Sequence, residues 1–158
     1  MKQTVVLIPG VYSKGSESLF NAIRTSLAGT DHEILVLENA DAENLESKAV
    51  EINPKILIGK SYGGSLAIKY QIKHKDAKAL ILLSPFVKVR EQYREIKIPI
   101  LIVHGTEDRV IPTQNSRELE KLFDNCKLVE IQGADHGYEG KELETAKIIV
   151  DWVNSLHS

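Results

Sequence analysis

Ile56-Leu57-Ile58-Gly59-Lys60-Ser61-Tyr62-Gly63-Gly64-Ser65-Leu66-Ala67-Ile68 runs from an apolar stretch, through a serine corner, into a segment with helical spacing. A serine held between a strand and a helix is forced into a strained backbone conformation, and the two elements must approach closely. Gly59 and Gly63, two positions to either side, have no side chain to obstruct that approach. The hydroxyl then stands at a helix N-terminus, where unpaired NH groups and the positive end of the dipole favour negative charge on a reacting oxygen. Ser61 reads as a nucleophile. The plainer reading, a serine that merely caps its helix, stands beside it.

Outward from this corner the chain alternates. Short, β-branched apolar runs at Thr4 to Ile8, Glu33 to Leu37, Lys55 to Ile58, Ala79 to Leu83, Ile100 to His104 and Leu128 to Ile131 are each expected to be strands buried on both faces. Between them, Leu19, Ile23 and Leu27, then Leu66, Ile68 and Ile72, then Leu119 and Leu122, have helical spacing and mark crossover helices. A last helix, Glu142 to Leu156, is expected to turn Leu143, Ala146, Ile149, Val150, Val153 and Leu156 toward the sheet and leave Trp152 partly peripheral. The longest irregular stretch is Ser84 to Pro99. The expected class is α/β: a doubly wound, mainly parallel six-stranded sheet with helices on both faces. With the order 2-1-3-4-5-6 the winding reverses between the first and third strands, and ligands in such sheets bind beyond the strand ends at that reversal. The exits there carry Gly10-Val11-Tyr12 and Gly59-Lys60-Ser61.

At 158 residues the chain is expected to form one domain, residues 1–158, and can bury roughly 70% of its unfolded surface. A 42% hydrophobic and 27% charged composition with a net charge of -2 argues against nucleic acid as a partner. One cysteine, Cys126, cannot close an internal disulfide, and Pro9-Gly10 ends the first apolar stretch too early for a signal peptide. No apolar run approaches the roughly 18 residues of a membrane span. A cytoplasmic location without membrane attachment is expected. Oligomeric state cannot be read, although the second strand could leave a pairing edge.

A serine hydroxyl needs a base to take its proton and a partner to orient that base. After the fifth strand, His104-Gly105-Thr106-Glu107-Asp108-Arg109-Val110-Ile111-Pro112 offers two carboxylates; after the sixth, Gly133-Ala134-Asp135-His136-Gly137 offers an imidazole and a further carboxylate. All these loops leave the carboxyl edge of one sheet, so Ser61, a carboxylate and His136 can converge there.

Gly59-x-Ser61-x-Gly63, His104-Gly105-x-x-Asp108-x-x-Ile111-Pro112 and Asp135-His136, in that chain order, resemble the α/β-hydrolase family, more closely its small, lid-poor serine esterases. The resemblance covers nearly the whole chain. It implies a minimal α/β-hydrolase fold, with Ser61 as nucleophile, His136 as general base and then acid, and Asp108, rather than Glu107 or Asp135, as the orienting acid. It further implies an oxyanion hole made by the backbone NH groups of Tyr62 and Val11, no cofactor and no metal. The expected activity is hydrolysis of a small carboxylic ester or thioester, a small-molecule acyl substrate, through an acyl-serine intermediate. The family's sheet usually begins with two further strands, which are not found before Thr4, and Ser84 to Pro99 is too short for a substantial lid. An open cleft suited to short acyl groups follows, with Tyr12, Tyr62, Phe86, Val87, Val110, Ile111 and Tyr138 as candidate lining.

Other classes remain as alternatives: a ligand-binding or protein-interaction module on the same scaffold, or an acyltransferase or perhydrolase using the same triad. A phosphate-binding loop is excluded. Gly59-Lys60-Ser61 matches its last three residues, but Pro54 stands where the first glycine is required, and Lys55 to Ile58 reads as a buried strand. His32, His74 and His157 are expected at the surface, with His104 packed or hydrogen-bonded at its strand end.

Overall fold

The computed structural model describes residues 2–10, 17–38 and 44–156. In chain order the elements are β1 (Gln3–Ile8), α1 (Glu17–Ala28), β2 (His32–Val36), α2 (Leu45–Ile52), β3 (Ile56–Lys60), α3 (Tyr62–His74), β4 (Ala79–Leu83), a 3₁₀ turn (Glu91–Glu95), β5 (Ile100–Gly105), α4 (Thr113–Leu122), β6 (Cys126–Ile131) and α5 (Glu142–Ser155). The six strands form one sheet in the order β2-β1-β3-β4-β5-β6. Every pairing is parallel, with Val5 beside Ile56, Ile58 beside Ile81 and Leu82 beside Ile102. The winding therefore reverses between β1 and β3, as expected.

Strand side chains alternate between faces, so each strand feeds two cores. Val5, Leu7, Ile56, Ile58, Ile81 and Val103 pack against Leu19, Ile23 and Leu27 of α1 and Ala146, Ile149 and Val153 of α5. Val6, Ile8, Leu57, Leu80, Leu82 and Ile102 pack on the other face against Leu45 of α2, Ala67 and Ile68 of α3, and Leu119 of α4. Continuous apolar runs appear where both faces are covered, in β3, β4 and β5.

Four expectations need correction. The edge strands β2 and β6 are only partly buried, because each has a neighbour on one side only. On α5 the fully buried stripe is Thr145, Ala146, Ile149 and Val153, with Val150 and Leu156 packed against it as expected and Trp152 partly buried. Thr145 can sit in the core because its hydroxyl donates to the Lys141 carbonyl at 2.8 Å, and Leu143, on the flank of the stripe, is 78% exposed. His32 is buried, its Nδ1 2.8 Å from Thr30 Oγ1. His74 is half-buried and stacked on Tyr70, while His157 lies outside the described residues. Lastly, the 84–99 stretch is not wholly irregular: its 3₁₀ turn buries Tyr93 against the Phe123 ring. The short helix α2 carries no clear signal in the sequence, since its eight residues make too little of an apolar stripe.

Candidate active site

Ser61 sits between β3 and α3 with φ 55° and ψ -119°. A positive φ is costly for a residue with a Cβ and persists only where the surroundings impose it. Here they do. The Ser61 NH donates to the Leu83 carbonyl at 2.9 Å, and the Ser61 carbonyl accepts from the NH groups of Gly64 and Phe86, each at 3.0 Å. A Cβ on Gly59 would collide with the Gly63 carbonyl, and one on Gly63 would collide with the Ile8 carbonyl, so both glycines are required by close backbone contact. The Ser61 side chain makes no capping bond to α3. The capping explanation for this serine therefore fails, and its hydroxyl is left for other work.

The exit of β1 passes over the serine. A Cβ built on Gly10 would stand 3.2 Å from Ser61 Cβ and 3.8 Å from Ser61 Oγ. Val11 and Tyr12, which follow, lie outside the described residues. Tyr62 opens α3, and its backbone NH is one of the first-turn donors with no carbonyl one turn earlier in the helix.

Asp108 and His136 meet. His136 Nδ1 lies 2.8 Å from Asp108 Oδ2, with the carboxylate side chain fully buried and the imidazole 21% exposed. Asp108 Oδ1 accepts from the NH groups of Val110, at 2.9 Å, and Ile111, at 2.8 Å. Burial by itself would raise the Asp108 carboxyl. Contacts from His104, His136 and the Ile111 NH outweigh it and hold the group well below the usual carboxylate range. The competing carboxylates are elsewhere: Glu107 is exposed, and Asp135 Oδ1 accepts from the NH groups of Gly137 and Glu139, shaping the loop. Among the described residues no hydrogen bond joins Ser61 Oγ to His136. Such bonds commonly tighten only when substrate is bound.

The two loops are stitched together. Glu107 NH donates to the Ala134 carbonyl at 2.9 Å and Gly133 NH to Thr106 Oγ1 at 2.8 Å. A Cβ on Gly105 would strike the Ala134 carbonyl, so this glycine permits the approach. Tyr138, expected at the mouth, is instead fully buried. Its hydroxyl donates to the Val103 carbonyl at 2.7 Å and accepts from Ser84 Oγ at 2.8 Å, which ties the His136 loop to the ends of β4 and β5.

Tyr62, Phe86, Val87, Val110 and Ile111 line a cavity of about 650 Å³ beside the serine corner, as expected from the sequence. Phe86 and Val110 are 58% and 64% exposed. Its polar wall comes from Gln114, Asn115 and Glu118 of α4 with Lys88. Asn115 Nδ2 also holds the facing loop by donating to the carbonyls of Pro85 and Val87. Lys60, beside the nucleophile, is buried. Burial lowers its ammonium from the ordinary lysine value, opposed by the negative charges of Asp108 and Asp135. Burial also pushes the Cys126 thiol up to about 12, far from a reactive thiolate. Among the described residues no three or more His, Cys, Asp or Glu side chains gather as a metal site, and no helix is long and apolar enough to cross a membrane.

Comparison with known proteins agrees with this architecture. The model of the alpha/beta hydrolase family matches residues 11–143. A Bacillus subtilis AB hydrolase superfamily protein, YisY, is 35% identical over 69 residues, 42% of this chain and 25% of that protein. The bifunctional esterase/perhydrolase DCH of Acinetobacter calcoaceticus is 38% identical over 56 residues, 35% of this chain and 20% of its own. The matched stretches thus span a quarter or less of these relatives. Among solved structures, Est1E from Butyrivibrio proteoclasticus superposes with a TM-score of 0.82 at 19% identity, covering 98% of this chain and 88% of that one.

Proposed function

Because the chain belongs to the alpha/beta hydrolase family, we propose that it is a serine hydrolase that cleaves a carboxylic ester or thioester through an acyl-serine intermediate. The observation that carries this reading is the 2.8 Å contact of His136 Nδ1 with the buried Asp108 carboxylate, at the same sheet edge as a strained, uncapped Ser61.

Asp108 accepts a hydrogen bond from the Nδ1–H of His136, which keeps the proton there and leaves Nε2 free as a base. As Ser61 Oγ bonds to the acyl carbon, Nε2 takes its proton and the carbonyl electron pair moves onto oxygen. The NH of Tyr62 and, as the family resemblance implies, that of Val11 hold this oxyanion. Collapse expels the alcohol or thiol, which leaves with the proton from His136. Water then attacks the acyl-serine by the same steps, releasing the acid and restoring Ser61.

The cavity beside Tyr62 fits an apolar group larger than a methyl, which favours medium acyl groups over the short ones expected from the sequence. Across a series of nitrophenyl esters, turnover is expected to rise from acetyl to medium or aryl groups and to fall once the group outgrows the cavity. A fluorophosphonate should label wild type at Ser61, and Ser61→Ala should lose both labelling and about 10⁴-fold or more of turnover. An unlabelled, inactive wild type would instead indicate a binding module. The name of the Acinetobacter relative favours one second reading, in which peroxide replaces water as acyl acceptor. Peracid formation from a carboxylic acid and hydrogen peroxide tests it.

A further inference from the structure

The geometry points to His104 as a second histidine that positions the candidate acid, a role that rests on the triad reading above. His104 is the penultimate residue of β5, and its side chain is fully buried. Its Nε2 lies 2.8 Å from the Ile111 carbonyl and 3.2 Å from Asp108 Oδ2, the oxygen that also faces His136. Both neighbours are pure acceptors, so Nε2 carries a proton. The Ile111 carbonyl is its main acceptor and Asp108 Oδ2 its secondary one.

Nδ1 of the same ring lies 2.6 Å from the buried Ser116 Oγ on α4. In the neutral ring Nδ1 has only a lone pair, so the Ser116 hydroxyl donates to it. The acceptors at Nε2 thereby set the tautomer of His104, as Asp108 sets that of His136, and Ser116 holds the other edge of the ring. The bonds run in one direction, from Ser116 to His104 and from His104 to the acid loop. Ile111 closes the circuit, since its carbonyl is held by His104 while its NH donates to Asp108 Oδ1 at 2.8 Å. The 105–111 loop is thus clasped from inside the sheet. Of the two Asp108 oxygens, Oδ2 is the one presented to His136. Nearby, the negative charges of Asp108 and Asp135 both act on the ammonium of Lys60 on β3. The substitutions below leave both in place.

His104 touches no reacting atom, so its effect must pass through the Asp108–His136 bond. His104→Leu fills the space without a donor, whereas His104→Gln keeps an N–H near the position of Nε2. In the leucine variant kcat is expected to fall about ten- to a hundredfold, the scale of a small misplacement in a catalytic array, with KM changed less than about twofold. Glutamine should restore most of the loss. The proton NMR resonance of His136 Nδ1–H, which reports on the Asp108 contact without any turnover, should move in the leucine variant and return with glutamine. If His104→Leu does not fold, Ser116→Ala decides, because it removes a hydrogen bond that orients the ring while keeping the ring itself, and it should shift the same resonance in part. An unmoved resonance in every folded variant, or equal loss with leucine and glutamine, overturns the assignment. Failure of wild type to turn over any ester, with the resonance still shifting, would overturn the hydrolase reading and leave His104 in its positioning role.

Discussion

Asp108 is a carboxylate with no exposed side-chain surface, and the donors around it decide whether that is tolerable. An unpaired buried charge costs several kcal/mol, and here Oδ1 takes two backbone NH groups while Oδ2 faces two imidazoles. Because the folded-state carboxyl lies below its unfolded value, the stability it contributes is present above the unfolded value and lost as pH falls through the folded one. Asp108→Asn should therefore flatten the fall of stability with acid below about pH 5, read from denaturant melts across the acid range. The same variant leaves an amide beside His136 Nδ1, and turnover should drop by about 10⁴-fold. A stability loss that is identical at every pH would mean the carboxylate is not the ionised partner described.

Elements hold these side chains by their ends. The loop that leaves β6 carries His136 and then plunges Tyr138 into the core, where its hydroxyl bridges Ser84 after β4 and the Val103 carbonyl of β5. Ser84 and Tyr138 both adopt positive φ, 44° and 60°, so this bridge sits between two strained turns. Tyr138→Phe preserves the ring but leaves the buried Ser84 hydroxyl without its acceptor and the Val103 carbonyl with the Ser84 NH alone, at a cost of about 1–3 kcal/mol. Its melting temperature should drop and, since the histidine loop loses its anchor, kcat should drop with it. A stable variant with slowed turnover would place the effect wholly in the loop. Wild-type values for both would show that the bridge holds nothing.

The whole molecule is held by its two apolar layers rather than by surface charge. Ile58, fully buried at the centre of the sheet, should cost about 2–5 kcal/mol when cut to alanine. Arg117 meets Glu130 at 2.6 Å, but with 50% and 32% of the side chains exposed, and Arg117→Ala should cost under about 1 kcal/mol. Paired denaturant melts would check the contrast. The layers also explain what could be read in advance. Strand and helix periods are local, so the alternation, the central buried strands and the glycine-flanked Ser61 corner were all legible within a dozen neighbouring residues. The edge character of β2 and β6 was not, because an apolar run looks the same whether one or two strands lie beside it. Three loops could be assigned to one rim from chain order and family resemblance. Which carboxylate turns inward could not be settled by the residues alone, since Glu107, Asp108 and Asp135 differ only in how their loops pack. The sequence by itself determined the period of each element and the strained serine corner, through sterics acting between near neighbours. Only the tertiary structure decided that Asp108 faces His136, that Tyr138 goes inside and that His104 stands behind the acid, because those contacts join segments brought together solely by the register of the sheet.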